Sequence, residues 1–495
     1  MEIRNPILRG LHPDPSVCCV DGVYYLVNST FEYVPGVPVF RSRDLVDWEQ
    51  IGHCITRSEQ LDLSRVPASG GIFAPTIRWH EGLFYVITTS FTGRGMDNFF
   101  VTAADPAGPW SDPVRIDIQG IDPSIYWEDG RTYVHYAARG TICQVEIDGV
   151  TGAVLDGPRA LTDGTGGRDA EGPHMWVRDG WHYLMLAEGG TREGHMVTLL
   201  RGRSVWGPFE PSPYGPVVTN RERSKEPIQR TGHADLVTGP DGREYLAALG
   251  VRSVKHRNLL GRETVLAPVA WTEDGWLRAP DGGRLPASFE AELGPGPQRI
   301  ERSFALDTST AELPLWICSP RKLHPECLRA VPGGGLRARG CGRGLDDGDS
   351  CFWAVRQPEF EVSVRARIDG VQIGGEADEV GLAVLITQDY HLSMFLTERA
   401  GRPGVVVRRR VGDIDDQRFF PHPAELPLEG AKELAIEGTA EAYSFRMNGV
   451  ELASSIADHV TCEVAGTQNT GVVDGFFVSG AAEATVLAFE VAGRA

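Results

Sequence analysis

The feature that most constrains this chain is a short motif repeated five times in its first half. Asp21-Gly22-Val23-Tyr24-Tyr25 recurs as Glu81-Gly82-Leu83-Phe84-Tyr85, Asp129-Gly130-Arg131-Thr132-Tyr133, Asp179-Gly180-Trp181-His182-Tyr183 and Asp241-Gly242-Arg243-Glu244-Tyr245. An acidic residue and a glycine between two apolar runs signal a two-residue hairpin turn, because both central residues must take φ > 0. The closing tyrosines stand 60, 48, 50 and 62 residues apart. That period suits one four-stranded sheet per repeat, the unit of a β-propeller. Five repeats predict five blades, whose innermost strands converge on one axis and bring matching positions face to face.

Upstream of each motif a short strand begins with a related pattern. In order these are Asp14-Pro15-Ser16-Val17, Ala74-Pro75-Thr76-Ile77, Asp122-Pro123-Ser124-Ile125, Gly172-Pro173-His174-Met175 and His233-Ala234-Asp235-Leu236. The residue before the proline, or one further back, is Asp14, Ala74, Asp122 or Glu171, and His233 holds the phase in the fifth repeat. One isolated Asp-Pro reads as a turn cap. Three carboxylates at matching phases read differently, since gathered like charges shift one another's pKa values and serve folding poorly. Paired carboxylates facing a pocket suit glycosidic cleavage: one protonates the leaving oxygen while the other activates water or attacks the anomeric carbon. A third can orient the acid and hold its pKa up. Spacing alone does not say which carboxylate takes which role.

Six further stretches share a pattern with a known family. They are Leu11-His12-Pro13-Asp14-Pro15-Ser16, Ser29-Thr30-Phe31-Glu32-Tyr33-Val34-Pro35-Gly36-Val37-Pro38, Gly70-Gly71-Ile72-Phe73-Ala74-Pro75-Thr76, Glu171-Gly172-Pro173-His174, Ala187-Glu188-Gly189-Gly190-Thr191 and Gly261-Arg262-Glu263-Thr264. In this order they resemble glycoside hydrolase family 43, closest to the β-xylosidase branch with a C-terminal β-sandwich. The resemblance implies Asp14 as general base, Glu171 as general acid, and Asp122 as the residue that tunes and orients the acid. It implies Arg262, Phe31, Phe73 and His233 as substrate-binding residues. It brings no required cofactor and no firm metal ligand, leaving open a water-mediated divalent cation such as Ca2+ near His233. Members invert the anomeric centre, which calls for about 6.5–9.5 Å between base and acid.

The implied activity is an exo-acting O-glycoside hydrolase, a β-1,4-xylosidase releasing xylose from non-reducing ends of xylo-oligosaccharides. The alternatives are an α-L-arabinofuranosidase, a bifunctional enzyme, and a sugar-binding propeller without catalysis. Two positions depart from the family pattern. Phe73 stands where tryptophan is common, which keeps a flat face but loses the indole donor. Val473 falls where relatives carry an aromatic; Phe476 and Phe477 nearby read as sandwich core.

The remaining composition agrees. A chain of 495 residues can bury two cores. The formal charge of −19 argues against nucleic acid or an anionic membrane as partner, leaving short oligosaccharides and a second copy of the chain. No apolar stretch is long enough for a transmembrane helix. Met1-Glu2-Ile3-Arg4-Asn5-Pro6 runs straight into the first motif without a signal-peptide pattern, so a cytoplasmic location is expected. The nine cysteines are scattered without metal-type spacing, and Cys18-Cys19 are expected as buried thiols of an inner strand. The Gly/Pro cluster Leu293-Gly294-Pro295-Gly296-Pro297 reads as a linker. The expected architecture is therefore all-β: a five-bladed β-propeller catalytic domain over residues 1–293, then a β-sandwich of jelly-roll or lectin-like type over 300–495.

Overall fold

The computed structural model describes residues 1–294, 296–421 and 430–494, so Pro295 of the expected linker lies outside the described residues. The chain is almost entirely β and divides into two compact units. The first holds Met1–Leu8, His12–Ser253 and Arg262–Ile300; the second holds Arg9–Leu11, Val254–Gly261 and Glu301–Ala495. Residues 9–11 and 254–261, expected within 1–293, thus pack with the second unit. The apolar effect accounts for the second excursion, since Leu259 and Leu260 are buried in that unit's core.

Beside a two-stranded pairing of Glu2–Arg4 with Ser288–Glu290, the first unit contains five larger antiparallel sheets, opened in turn by the inner strands Ser16–Val20, Thr76–His80, Ile121–Glu128, Glu171–Arg178 and Ile228–Thr238. Each has four strands, and the second adds the short strand Gly71–Ile72. The inner strands neighbour one another in sequence order, and the fifth lies beside the first, which closes a ring. Apolar side chains seal that closure: Leu26 and Phe40 of the first sheet pack with Tyr245 and Leu266 of the fifth.

Four of the five repeated turns place both residues at positive φ, from Asp21 (φ 50) and Gly22 (φ 75) to Asp179 (φ 49) and Gly180 (φ 72). The fifth differs. Its strands end at Thr238 and resume at Glu244, and only Gly242 of the pair has positive φ. Pro240 is the reason: a ring that fixes φ near −65° cannot join a tight turn of this hand, so the loop lengthens. Cys18 is half-buried and Cys19 exposed, against the expectation of two buried thiols, because successive strand residues face opposite sides.

The second unit holds two antiparallel sheets of eight and six strands. Long strands such as Glu361–Gln372 and Glu483–Arg494 alternate buried and exposed residues, and their inner faces feed one apolar cluster with Phe445, Trp353 and Phe476. Val473, Phe476 and Phe477 lie buried on the strand Val473–Ser479. Trp353 stacks on Phe476 with centroids 5.0 Å apart, so Phe476 is core as read. Among the described residues no helix is long and apolar enough to cross a membrane.

Candidate active site

Three inner strands are interrupted, two where they begin and the fifth midway along Ile228–Thr238. Pairing skips between Ile121 and Ser124, between Glu171 and His174, and between Gly232 and Ala234. At these bulges Asp122, Gly172 and His233 take left-handed backbone (φ 54, 56 and 39), and Asp14 in the first sheet does the same (φ 51). A bulge re-aims a side chain away from the regular alternation, and here it does so at one phase of the repeat. The fourth sheet's matching residue is therefore Gly172, with Glu171 one position earlier. Glycine is required there: a Cβ on Gly172 would come within 2.9 Å of the His233 ring. The Gly172 N–H hydrogen-bonds the Asp122 carboxylate, which ties Glu171's strand to its neighbour.

These residues assemble into one cluster. Arg262 Nη1 donates to Asp14 Oδ1 at 2.8 Å and Nη2 to Oδ2 at 3.1 Å, while Ser29 Oγ donates to Oδ2 at 2.5 Å. His233 Nδ1 lies 3.9 Å from both Asp14 Oδ1 and Asp122 Oδ2. Arg262 is buried, and its Nε has no hydrogen-bond partner among the described residues. Its guanidinium sits 5.4 Å from the Phe31 ring centroid, and Phe31 meets Phe73 edge to face at 5.5 Å. Gly71 permits that approach, since a Cβ there would lie 2.2 Å from the Phe31 carbonyl oxygen.

The environment separates the three carboxyl groups. Burial opposes charge on Asp14, but Arg262, His233 and Ser29 outweigh it and hold its pKa below the ordinary value. Burial raises Glu171 to about 7, helped by the charge of Asp14 and opposed by Arg262. Burial also pushes Asp122 well up, with repulsion from Glu171 and Asp14 adding to it. His233 is lowered, chiefly by burial, and so is neutral in ordinary conditions. One ionised carboxylate therefore faces two carboxyl groups that retain protons more readily.

The other motif residues frame this cluster. Glu188, fully buried, accepts from the Thr165 and Gly167 N–H groups and from Thr198 Oγ1, which shapes the loop leading to Glu171. Glu263 holds Arg252 through two 2.7 Å bonds, and Thr264 Oγ1 donates to the His12 carbonyl, so both neighbours of Arg262's turn are fixed. Thr191 Oγ1 is 3.3 Å from Arg262 Nη1.

All seven residues singled out in the sequence lie together: the carboxylates, Arg262 and His233 in one cluster, Phe31 beside Arg262, and Phe73 against Phe31. A second constellation went unread. Two residues past His233, Asp235 accepts from Arg78 Nη1 (2.6 Å) and Nη2 (3.1 Å), from Ser16 Oγ (2.7 Å) and from the Val17 N–H (3.0 Å). Arg78 Nη2 also lies 2.9 Å from His174 Nδ1. Period-2 alternation along the inner strands was the signal that could have found it.

With this geometry in place, the sequence model of glycosyl hydrolases family 43 matches residues 3–277. The chain belongs to glycosyl hydrolases family 43. A non-reducing end α-L-arabinofuranosidase of Bacteroides ovatus, BoGH43B, is 36% identical over 490 residues, covering 97% of this chain and 92% of its own. The solved structure of the B. ovatus xyloglucan-locus protein GH43B aligns over 100% of both chains with TM-score 0.94 at 35% identity. That of xylan β-1,4-xylosidase from Bacillus halodurans aligns over 99% of this chain and 100% of its own with TM-score 0.91 at 30% identity. Family 43 members of this layout pair a propeller with a β-sandwich, and this family 43 chain is an O-glycoside hydrolase.

Proposed function

We propose that this chain is an exo-acting, inverting glycosidase that releases terminal pentose units from short oligosaccharides, with β-1,4-xylosidase activity as the first reading. Asp14 is the general base, Glu171 the general acid, and Asp122 the residue that orients Glu171 and tunes its proton affinity. The observation that carries this reading is the separation of charge states: Arg262 keeps Asp14 ionised while burial keeps Glu171 protonated. An inverting hydrolase needs that division before substrate arrives. Asp14 takes a proton from water as the oxygen attacks the anomeric carbon; Glu171 gives its proton to the departing oxygen. The unpartnered Nε of Arg262 and the faces of Phe31 and Phe73 supply a donor and apolar area for a terminal sugar. The five sheets and their closed ring of inner strands support reading the first unit as a five-bladed propeller, and the change of unit after Ile300 supports a domain boundary a few residues beyond the expected 293.

Hydrolysis by two carboxyl groups and water calls for no cofactor. His233 is neutral, as a cation ligand must be, but its Nδ1 faces Asp14 and Asp122. A Ca2+ ion, which prefers oxygen ligands, would be held near the other ring nitrogen through water, adding positive charge beside the carboxylates.

The second reading, α-L-arabinofuranosidase, is favoured by the B. ovatus relative, which matches nearly the whole chain. Parallel assays on 4-nitrophenyl β-D-xylopyranoside, 4-nitrophenyl α-L-arabinofuranoside and xylobiose test both readings. Xyloside and xylobiose cleavage supports the first. Arabinofuranoside cleavage without xylobiose turnover replaces it with the second, and no cleavage of any of the three overturns both.

A further inference from the structure

We propose that the second unit carries a zinc site built from His324, Cys327, Cys341 and Cys351, holding the metal through three thiolates and one imidazole. In sequence these residues look unrelated: only His324 and Cys327 have a metal-type spacing, and the others follow 14 and 24 residues after Cys327. The fold gathers them. Pro325–Cys327 forms a single 3-10 turn, Cys341 follows the strand Leu336–Arg339 after one glycine, and Cys351 opens the strand Cys351–Arg356.

Ligand atoms of His324, Cys341 and Cys351 all lie within 4.8 Å of one another, and so do those of His324, Glu326 and Cys327. The Cys351 thiol is in hydrogen-bonding contact with both Cys341 and Cys327, and His324 Nε2 is 4.0 Å from Cys341 Sγ. All three cysteines are free. Cys327, Cys351 and His324 are buried and Cys341 is half-buried.

Four donors of this kind match a closed tetrahedral zinc site, and thiolates with imidazole disfavour magnesium and calcium. His324 is already oriented for it. Its Nε2 lies 2.8 Å from the Asp349 carbonyl and its Nδ1 3.2 Å from Glu326 Oε1. Whichever nitrogen takes the metal, the other keeps an acceptor that fixes the ring, as metal-binding histidines ordinarily have. Buried thiols that merely fill space behave as small apolar groups and have no reason to surround a buried imidazole. Burial, with Cys341 and Cys327 alongside, pushes the Cys351 thiol up. A bound cation reverses that preference and releases the protons.

The test uses the full chain, produced with zinc in the medium and purified with a non-thiol reductant and no chelator. Elemental analysis is expected to find one zinc per chain. After zinc is replaced by Co2+, thiolate-to-cobalt charge transfer and the visible bands of tetrahedral cobalt are expected. Both signals should be lost in Cys341→Ser and kept in Cys143→Ser, a cysteine of the first unit. Charge-transfer intensity grows with the number of cobalt–sulfur bonds, so the wild-type spectrum counts thiolates even if Cys341→Ser fails to fold. Protein that holds no zinc and gives no charge-transfer band overturns the site. So does peptide mapping that finds Cys351 in a disulfide, or a folded Cys341→Ser that keeps its metal.

Discussion

Asp14, just ahead of the inner strand Ser16–Val20, and Asp235, on the inner strand Ile228–Thr238, are both buried, and each is gripped by two terminal nitrogens of one arginine. Around Asp235 the charges balance: one carboxylate meets Arg78, with Ser16 and the Val17 N–H filling its remaining lone pairs. Burial resists its charge, but Arg78 and His174 bring it down to about 2. Around Asp14 one guanidinium serves three carboxyl groups, and burial, with repulsion among them added, raises Glu171 and Asp122. A buried ion pair that closes on itself does structural work; one left with excess charge of a single sign stores proton affinity for chemistry. The two constellations lie two residues apart on the fifth inner strand, and the His174 and His233 rings meet edge to face between them at 6.4 Å.

The largest effects should fall on opposite properties of the two. Asp14→Asn and Glu171→Gln are expected to lower kcat/KM on xylobiose or its arabinosyl counterpart by about 10²–10⁴-fold, the usual worth of a positioned acid or base. Glu171→Gln should spare activated aryl glycosides more than natural ones, since a good leaving group needs little protonation. Equal losses on both substrates would remove Glu171 from the acid role. Asp235→Asn should instead cost stability, up to about 3 kcal/mol, because it leaves the partly buried Arg78 without its carboxylate. Denaturant melts measure this. An Asp235→Asn variant of unchanged stability and abolished turnover would break the division of labour.

That division was half legible in the sequence. The repeat fixed the number of sheets and the phase of Asp14, Asp122 and His233, because hairpin turns and bulges are local events written in a few residues. Glu171 was legible one residue before the phase, a place that depends on the glycine that His233 demands of Gly172, but its role as the acid came only with the family pattern. Arg78 and Asp235 come from different sheets, and no local signal joins them. The fifth turn misled in detail because the tight-turn reading overlooked Pro240. The thiols went unread as a group because three separate segments bring them together.

Acid should act on the two constellations with opposite sign. Glu171 rises from the ordinary 4.5 to about 7 on folding. Its contribution is fully present below about 4.5 and is lost as pH rises through 7. Asp235 falls from 3.8 to about 2, so its contribution is present above about 4 and is lost as pH falls toward 2. Thermal melts of the wild type should therefore show a loss of stability as pH rises from about 4.5 to 7 that is absent from Glu171→Gln, and a loss as pH falls from about 4 to 2 that is absent from Asp235→Asn. Turnover should decline above about pH 7, as Glu171 gives up the proton it must donate. A wild-type rate that holds steady to pH 9 would contradict a Glu171 acid.

The smallest and most discriminating change is Asp122→Asn. It removes one of the two proton-holding groups without touching the Arg262–Asp14 pair. Asp122 is buried at a raised pKa, so its amide should fold at least as stably as wild type near neutral pH, where the carboxyl group resists ionisation. Where Asp122 has begun to ionise by the pH at which Glu171 does, the change leaves Glu171 facing one carboxylate fewer, and the upper limb of the kcat/KM profile moves to lower pH. The lower limb, set by Asp14 and Arg262, should move little by comparison. A displaced upper limb makes Asp122 a tuner of the acid's charge. An unmoved limb with reduced turnover leaves it an orienting residue, acting through the Gly172 N–H bond that fixes the strand on which Glu171 stands.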